Sequence, residues 1–137
     1  MRAAALLLVL GAAACSAGSE LTPVDAALDR PFEVRVGQAA VLPAEGLSIV
    51  FQQVRNDSRC PVDVQCVWEG DAELVLEVQA SPSDREQLSL HTSSQFGTSV
   101  DFGAYRILYR ELQPGTRAGE SPDPNAYVAT LVVSRID

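Results

Sequence analysis

A chain of 137 residues with no lysine and a formal net charge of −8 has room for a single small domain. Its ten cationic side chains, all arginine, are outnumbered by 18 carboxylates, which argues against binding nucleic acid phosphates or anionic lipid headgroups by charge. A domain of roughly 100 residues can bury a working core, so a disulfide here aids the fold rather than replacing the core.

The N-terminal stretch carries a targeting signal. Arg2 precedes an apolar run from Ala3 to Leu10, too short to span a bilayer as a helix. Gly11, Ala12, Ala13 and Ala14 then lead to Cys15. This stretch resembles a bacterial lipoprotein signal, in which cleavage just before the cysteine leaves that residue lipid-modified. The resemblance implies a signal peptide over residues 1–14, lipidation of Cys15, and attachment to a membrane through that lipid. With Ser16 next, it implies the periplasmic face of the outer membrane if the cell is didermal. The same small residues also fit ordinary cleavage after Ala14, which would give a secreted protein. Three cysteines leave one unpaired in an oxidising compartment unless Cys15 is modified.

Residues 15–30 are small and polar, with Pro23, and read as the lipidated Cys15 followed by a flexible tether. From residue 31 to 137 the pattern changes to period-two alternation, the mark of half-buried strands. Phe32, Val34 and Val36 alternate with Glu33 and Arg35. Gln38–Leu42 is a short strand ended by Pro43. Leu47, Ile49 and Phe51 alternate with Ser48, Val50 and Gln52, and the register slips at Gln52–Gln53, predicting a bulge. Ala72, Leu74, Leu76 and Val78 define the clearest inward face. Leu88 and Leu90 mark another strand, Val100 and Phe102 an edge strand, and Tyr105, Ile107 and Tyr109 a further one. The last strand, from Ala126 to about Ile136, is apolar on both faces and is expected to be central and covered on both sides. Seven to nine short strands with turn chemistry between them predict an all-β fold, a single β-sandwich, Ig-like or small and barrel-like. Leu74, Leu76, Val78, Leu131, Val133 and Trp68 are the expected core.

One loop stands apart. Asn56 to Gly70 holds the only tryptophan and the two cysteines outside the leader. In an exported protein Cys60 and Cys66 are expected to pair. Trp68 lies two residues beyond Cys66, so an extended chain would put the indole against the disulfide and plug one end of the core. Asp57, Arg59, Pro61, Asp63, Trp68 and Glu69 are the candidate binding residues, on a rigid, charged, proline-bearing loop. Asp57 has a local alternative in an Asx-turn or an ion pair with Arg59. The carboxylates also raise the possibility of a Ca²⁺ site, but their spacing fits no EF-hand loop.

The segments D-S-R-C-P at 57–61 and C-V-W-E-G at 66–70, with the alternating strand that follows, resemble a family of uncharacterised bacterial secreted proteins and lipoproteins. The resemblance covers roughly residues 32–80 and, more weakly, the final strand. It implies an exported, β-rich domain with a disulfide, and it carries no catalytic residue across.

Enzyme chemistry finds little support. His91 is the only histidine, and there is no G-x-S-x-G elbow, phosphate-binding glycine loop or dinucleotide fingerprint. With two cysteines paired, too few ligands remain for zinc, and neither a metal nor a cofactor is expected. His91 itself is expected to be a solvated strand residue. The sequence points to an envelope-anchored, non-catalytic β-domain that binds a protein or another envelope component. The alternatives are a periplasmic inhibitor of a basic hydrolase such as lysozyme, which the acidity would suit, and a carboxylate-based metal-binding module.

Overall fold

The structure, a computed structural model, describes residues 21–137. The expected signal peptide and the expected lipidation of Cys15 lie outside these residues. Nine strands follow in order: β1 (Val24–Asp25), β2 (Phe32–Arg35), β3 (Ala39–Leu42), β4 (Leu47–Arg55), β5 (Glu73–Ser81), β6 (Asp84–His91), β7 (Ser99–Phe102), β8 (Tyr105–Gln113) and β9 (Val128–Arg135). They form two sheets, ordered β1-β3-β4-β5-β6 and β2-β9-β8-β7, packed as a β-sandwich.

Alternation builds the core from both sheets. Leu47, Ile49 and Phe51 of β4 and Leu74, Leu76 and Val78 of β5 meet Ala129, Leu131 and Val133 of β9, all buried. Burying each Leu or Ile contributes about 1.5–3 kcal/mol relative to leaving it in water. The predicted bulge is present: Phe51 pairs with Leu76 and Gln53 with Val75, leaving Gln52 as the extra residue.

Two expectations require correction. β9 is interior, between β2 and β8, but only one of its faces is covered. Ala129, Leu131 and Val133 are buried, while Val128, Thr130 and Val132 are half-buried, because each sheet of a two-layer sandwich has one inner face. Residues 24–29 belong to the sandwich rather than to a tether. Val24 and Asp25 pair in parallel with Ala40 and Val41, and the Ala26 and Asp29 amides donate to the Val41 and Val133 carbonyls at 2.8 Å each. Val24, Ala26 and Leu28 recur at period two, and that face packs on the core.

Strand direction sorts the connections into two groups. β4 ends, β5 begins, β6 ends, β8 ends and β9 begins at the same end of the sandwich. The long loops 56–72, 92–98 and 114–127 emerge there. So does the chain preceding Val24, because β1 runs parallel to β3, whose first residue pairs with Val50 of β4. The opposite end holds the short turns 43–46, 82–83 and 103–104.

Candidate functional site

The loop between β4 and β5 has a stalk and a tip. In the stalk, the Ser58 amide donates to the Asp71 carbonyl at 2.7 Å and the Cys60 amide to the Glu69 carbonyl at 2.8 Å. The Ser58 hydroxyl donates to the Asp71 carbonyl at 3.0 Å and accepts from the Asp71 amide at 3.3 Å. The tip is closed by the expected Cys60–Cys66 disulfide, with Cα atoms 5.9 Å apart. Gly70 makes the stalk possible: at φ +71° it sits so close to its partner that a Cβ would lie 2.0 Å from the Ser58 carbonyl oxygen.

Arg59 is the hub. Its Nε and Nη2 donate to the two oxygens of Asp57 at 2.8 and 2.7 Å. Nη1 donates to the Leu112 carbonyl at 2.7 Å, and Nη2 also to the Pro114 carbonyl at 2.8 Å, on either side of the cis Gln113–Pro114 bond. The buried Tyr127 hydroxyl donates to Asp57 at 2.8 Å. The Arg59 amide also reaches Asp57 Oδ1 at 3.3 Å, the local turn anticipated for that residue. Burial opposes the charge on Asp57 most strongly, but the hydrogen bonds from Arg59 and Tyr127 and the Arg59 charge together hold its carboxyl below the usual range. Burial and the neighbouring Asp57 push the Tyr127 hydroxyl up to about 12. The side chains of Arg59 and Asp57 are only 13% and 10% exposed, so these two serve the scaffold rather than an open recognition surface.

Other polar groups of the loop are also engaged. The buried Thr116 hydroxyl donates to the Arg59 carbonyl at 3.1 Å, and the Val62 amide to the Thr116 carbonyl at 2.9 Å. Asp63 is exposed, yet it accepts the Ala118 amide at 2.9 Å. Glu69, exposed as a residue, accepts from the fully buried Ser93 hydroxyl at 2.7 Å. Pro61 is half-buried, and its carbonyl accepts the Val64 amide at 3.2 Å, a turn within the disulfide ring. His91 is not a free surface residue: its Nδ1 meets Asp71 Oδ2 at 2.6 Å. The other Asp71 oxygen accepts the Ser93 amide at 2.9 Å. Because the Ser93 hydroxyl serves Glu69, these groups do not line up as a nucleophile, base and orienting acid.

Among the described residues, no group of three or more His, Cys, Asp or Glu is placed to hold a metal ion. The loop carboxylates point to separate donors instead of converging. An open cleft of about 360 Å³ runs beside the hub, lined in part by Asp57, Arg59, Pro61, Thr116, Arg117 and Tyr127. Its most buried charges are already paired.

Four apolar side chains of the loop are exposed. Val67 is fully exposed, and Val62, Val64 and Trp68 are 67%, 46% and 54% exposed. Trp68 was expected in the core; instead the stalk carries it past the end of the sandwich. Val62 leans on Gly115, where a Cβ would come within 2.7 Å of its Cγ1. Pattern reading missed the three valines as surface residues. The available signal was ring size, since five residues between bonded cysteines enclose no interior in which Val62 or Val64 could be buried. The disulfide thus joins a segment tied to residues 112–118, with Val62 against Gly115, to an exposed apolar stretch at Val64, Val67 and Trp68.

No protein-family model, curated protein or solved structure matches this chain.

Proposed function

We propose that the protein is a lipid-anchored, non-catalytic β-sandwich of the bacterial cell envelope, which binds another envelope component through the tip of its stapled loop. The observation that carries this reading is the division of the loop. Arg59, Asp57 and Asp63 bond the loop to the scaffold or to itself, while Val62, Val64, Val67 and Trp68 remain exposed. Isolated exposed apolar residues need no explanation, but four within the seven positions 62–68, two inside the disulfide ring and two just beyond it, concentrate apolar surface at one tip. The disulfide and the hub pre-organise that patch, so a partner would not have to order it on binding.

Photo-crosslinking tests the reading. A photoreactive residue at Val67, in the native envelope, should yield a defined adduct with a protein or a lipid. A Trp68→Ala change should weaken that adduct. The same probe at Ser83, on the opposite end, supplies the background. Adducts at Val67 no stronger than those at Ser83 would defeat the proposal.

A further inference from the structure

Among the described residues, the large apolar side chains left exposed are Leu21, Val62, Val64, Val67, Trp68 and Phe96. They belong to the N-terminal segment, the stapled loop and the 92–98 loop, which all lie toward the same end of the sandwich. The other end has none. We infer that the loop end rests on the bilayer that holds the lipid anchor, with Trp68 and Val67 set into its interfacial layer.

This inference rests on the lipid-anchored reading and takes it further by naming the surface the tip meets. Covalent reach is the first argument. From Cys15 to Leu21 the chain spans at most roughly 20 Å, so a lipid on Cys15 keeps Leu21 within that distance of the bilayer. Leu21 precedes a strand whose start faces the loop end, so that end is the one held nearest the membrane.

Side-chain chemistry is the second argument. An indole has an apolar body and a polar N–H, and tryptophan concentrates at membrane–water interfaces for that reason. Of the carboxylates closest to the tip, Asp57 is paired with Arg59 and Tyr127 and Asp71 meets His91, while the exposed Asp63 and Glu69 each have one oxygen bonded, by the Ala118 amide and the Ser93 hydroxyl. A seat in the hydrated interfacial layer, rather than among the acyl chains, leaves the second oxygens of Asp63 and Glu69 in contact with water. With a net charge of −8, attraction to anionic headgroups contributes little, and neutral lipid is the appropriate surface. A soluble partner protein or a second copy would cover the same patch, but only the bilayer is brought there by the anchor itself.

Trp68 is the sole tryptophan, so its fluorescence reports on the tip without any added label. The lipidated full-length protein would be reconstituted into vesicles of phosphatidylcholine and phosphatidylethanolamine, with or without bromine on the acyl chains. The expected result is a blue-shifted emission, quenched by the brominated chains and shielded from acrylamide in the water. Val67→Asp, at a fully exposed position, should reverse these effects while leaving the melting temperature unchanged. Trp68 open to acrylamide on vesicle-bound protein would overturn the bilayer seat and leave the anchored reading intact. Shielding from acrylamide without quenching by brominated lipid would also overturn it, and would point to a protein or a second copy as the occupant. An unmodified Cys15 in the mass spectrum would overturn the anchored reading and this inference together.

Discussion

Two arginine–carboxylate pairs, one at each end of the sandwich, have nearly the same geometry and different surroundings. At the end with short turns, Arg106 meets Asp101 through two hydrogen bonds of 2.7 and 2.9 Å, with both side chains about half exposed. At the loop end, Arg59 meets Asp57 at 2.8 and 2.7 Å under cover, and two more of its donors are taken by backbone carbonyls. An exposed pair trades water for a partner of similar quality and gains little. A covered pair must be complete, because removing one member leaves the other charged and without solvent. Position, rather than bond geometry, decides which of these arginines the fold depends on.

Arg59→Ala is the largest expected effect. It strands Asp57 and frees the carbonyls of Leu112 and Pro114, and should cost about 3–5 kcal/mol in chemical denaturation. A loss similar to that of a surface substitution would mean that the covered pair behaves like the exposed one. Gly70→Ala comes next. A left-handed backbone and a close approach to Ser58 are both violated, for about 2–4 kcal/mol. Replacing Cys60 and Cys66 together with Ala should cost ~2 kcal/mol by the chain-entropy argument, since the ring is short and the hub still ties the stalk down.

The hub at the loop end also makes stability depend on pH. The Tyr127 hydroxyl is raised from 10.0 to about 12 in the folded chain, so its contribution is complete below pH 10 and is lost as the pH climbs toward 12. On the acid side Asp57 is held below its ordinary value of 3.8. Its contribution is complete above that value and is lost as the pH falls further below it. Melting temperatures followed from pH 9 to 12 should decline less in Tyr127→Phe than in the native chain. Arg106→Ala is the smallest effect and should leave the melting temperature almost unchanged. A large drop there would erase the contrast between the two ends.

Alternation made much of the fold legible. It located the bulge at Gln52, the inward face of β5 and the edge position of β7, because an inner sheet face repeats every two residues. It was less informative where partners are distant or side chains are small. Val24, Ala26 and Leu28 carry the same period, but one of the three is alanine and the segment contains a proline, so the face was too weak to distinguish from a tether. Arg59 was legible as Asp57's neighbour, but its acceptors lie 53 and 55 residues away, beyond any local pattern. Trp68 misled for another reason. Burial is the ordinary fate of an indole near a disulfide, and only the hydrogen-bonded stalk, a product of pairing between 58–60 and 69–71, directs it outward.

The docking of β1 bears on solubility. Without Val24 and Asp25, β3 would be the last strand of its sheet and would offer unpaired amides and carbonyls to any passing strand. The opposite border of that sheet, β6, is guarded chemically, since its first four residues are Asp, Arg, Glu and Gln, all exposed. β3 has no such guard: its residues are Ala, Ala, Val and Leu. Two residues of the leading segment therefore act as a shield against edge-to-edge association. A chain shortened to begin at Arg30 would keep most of its core and lose that shield, so self-association is the expected defect.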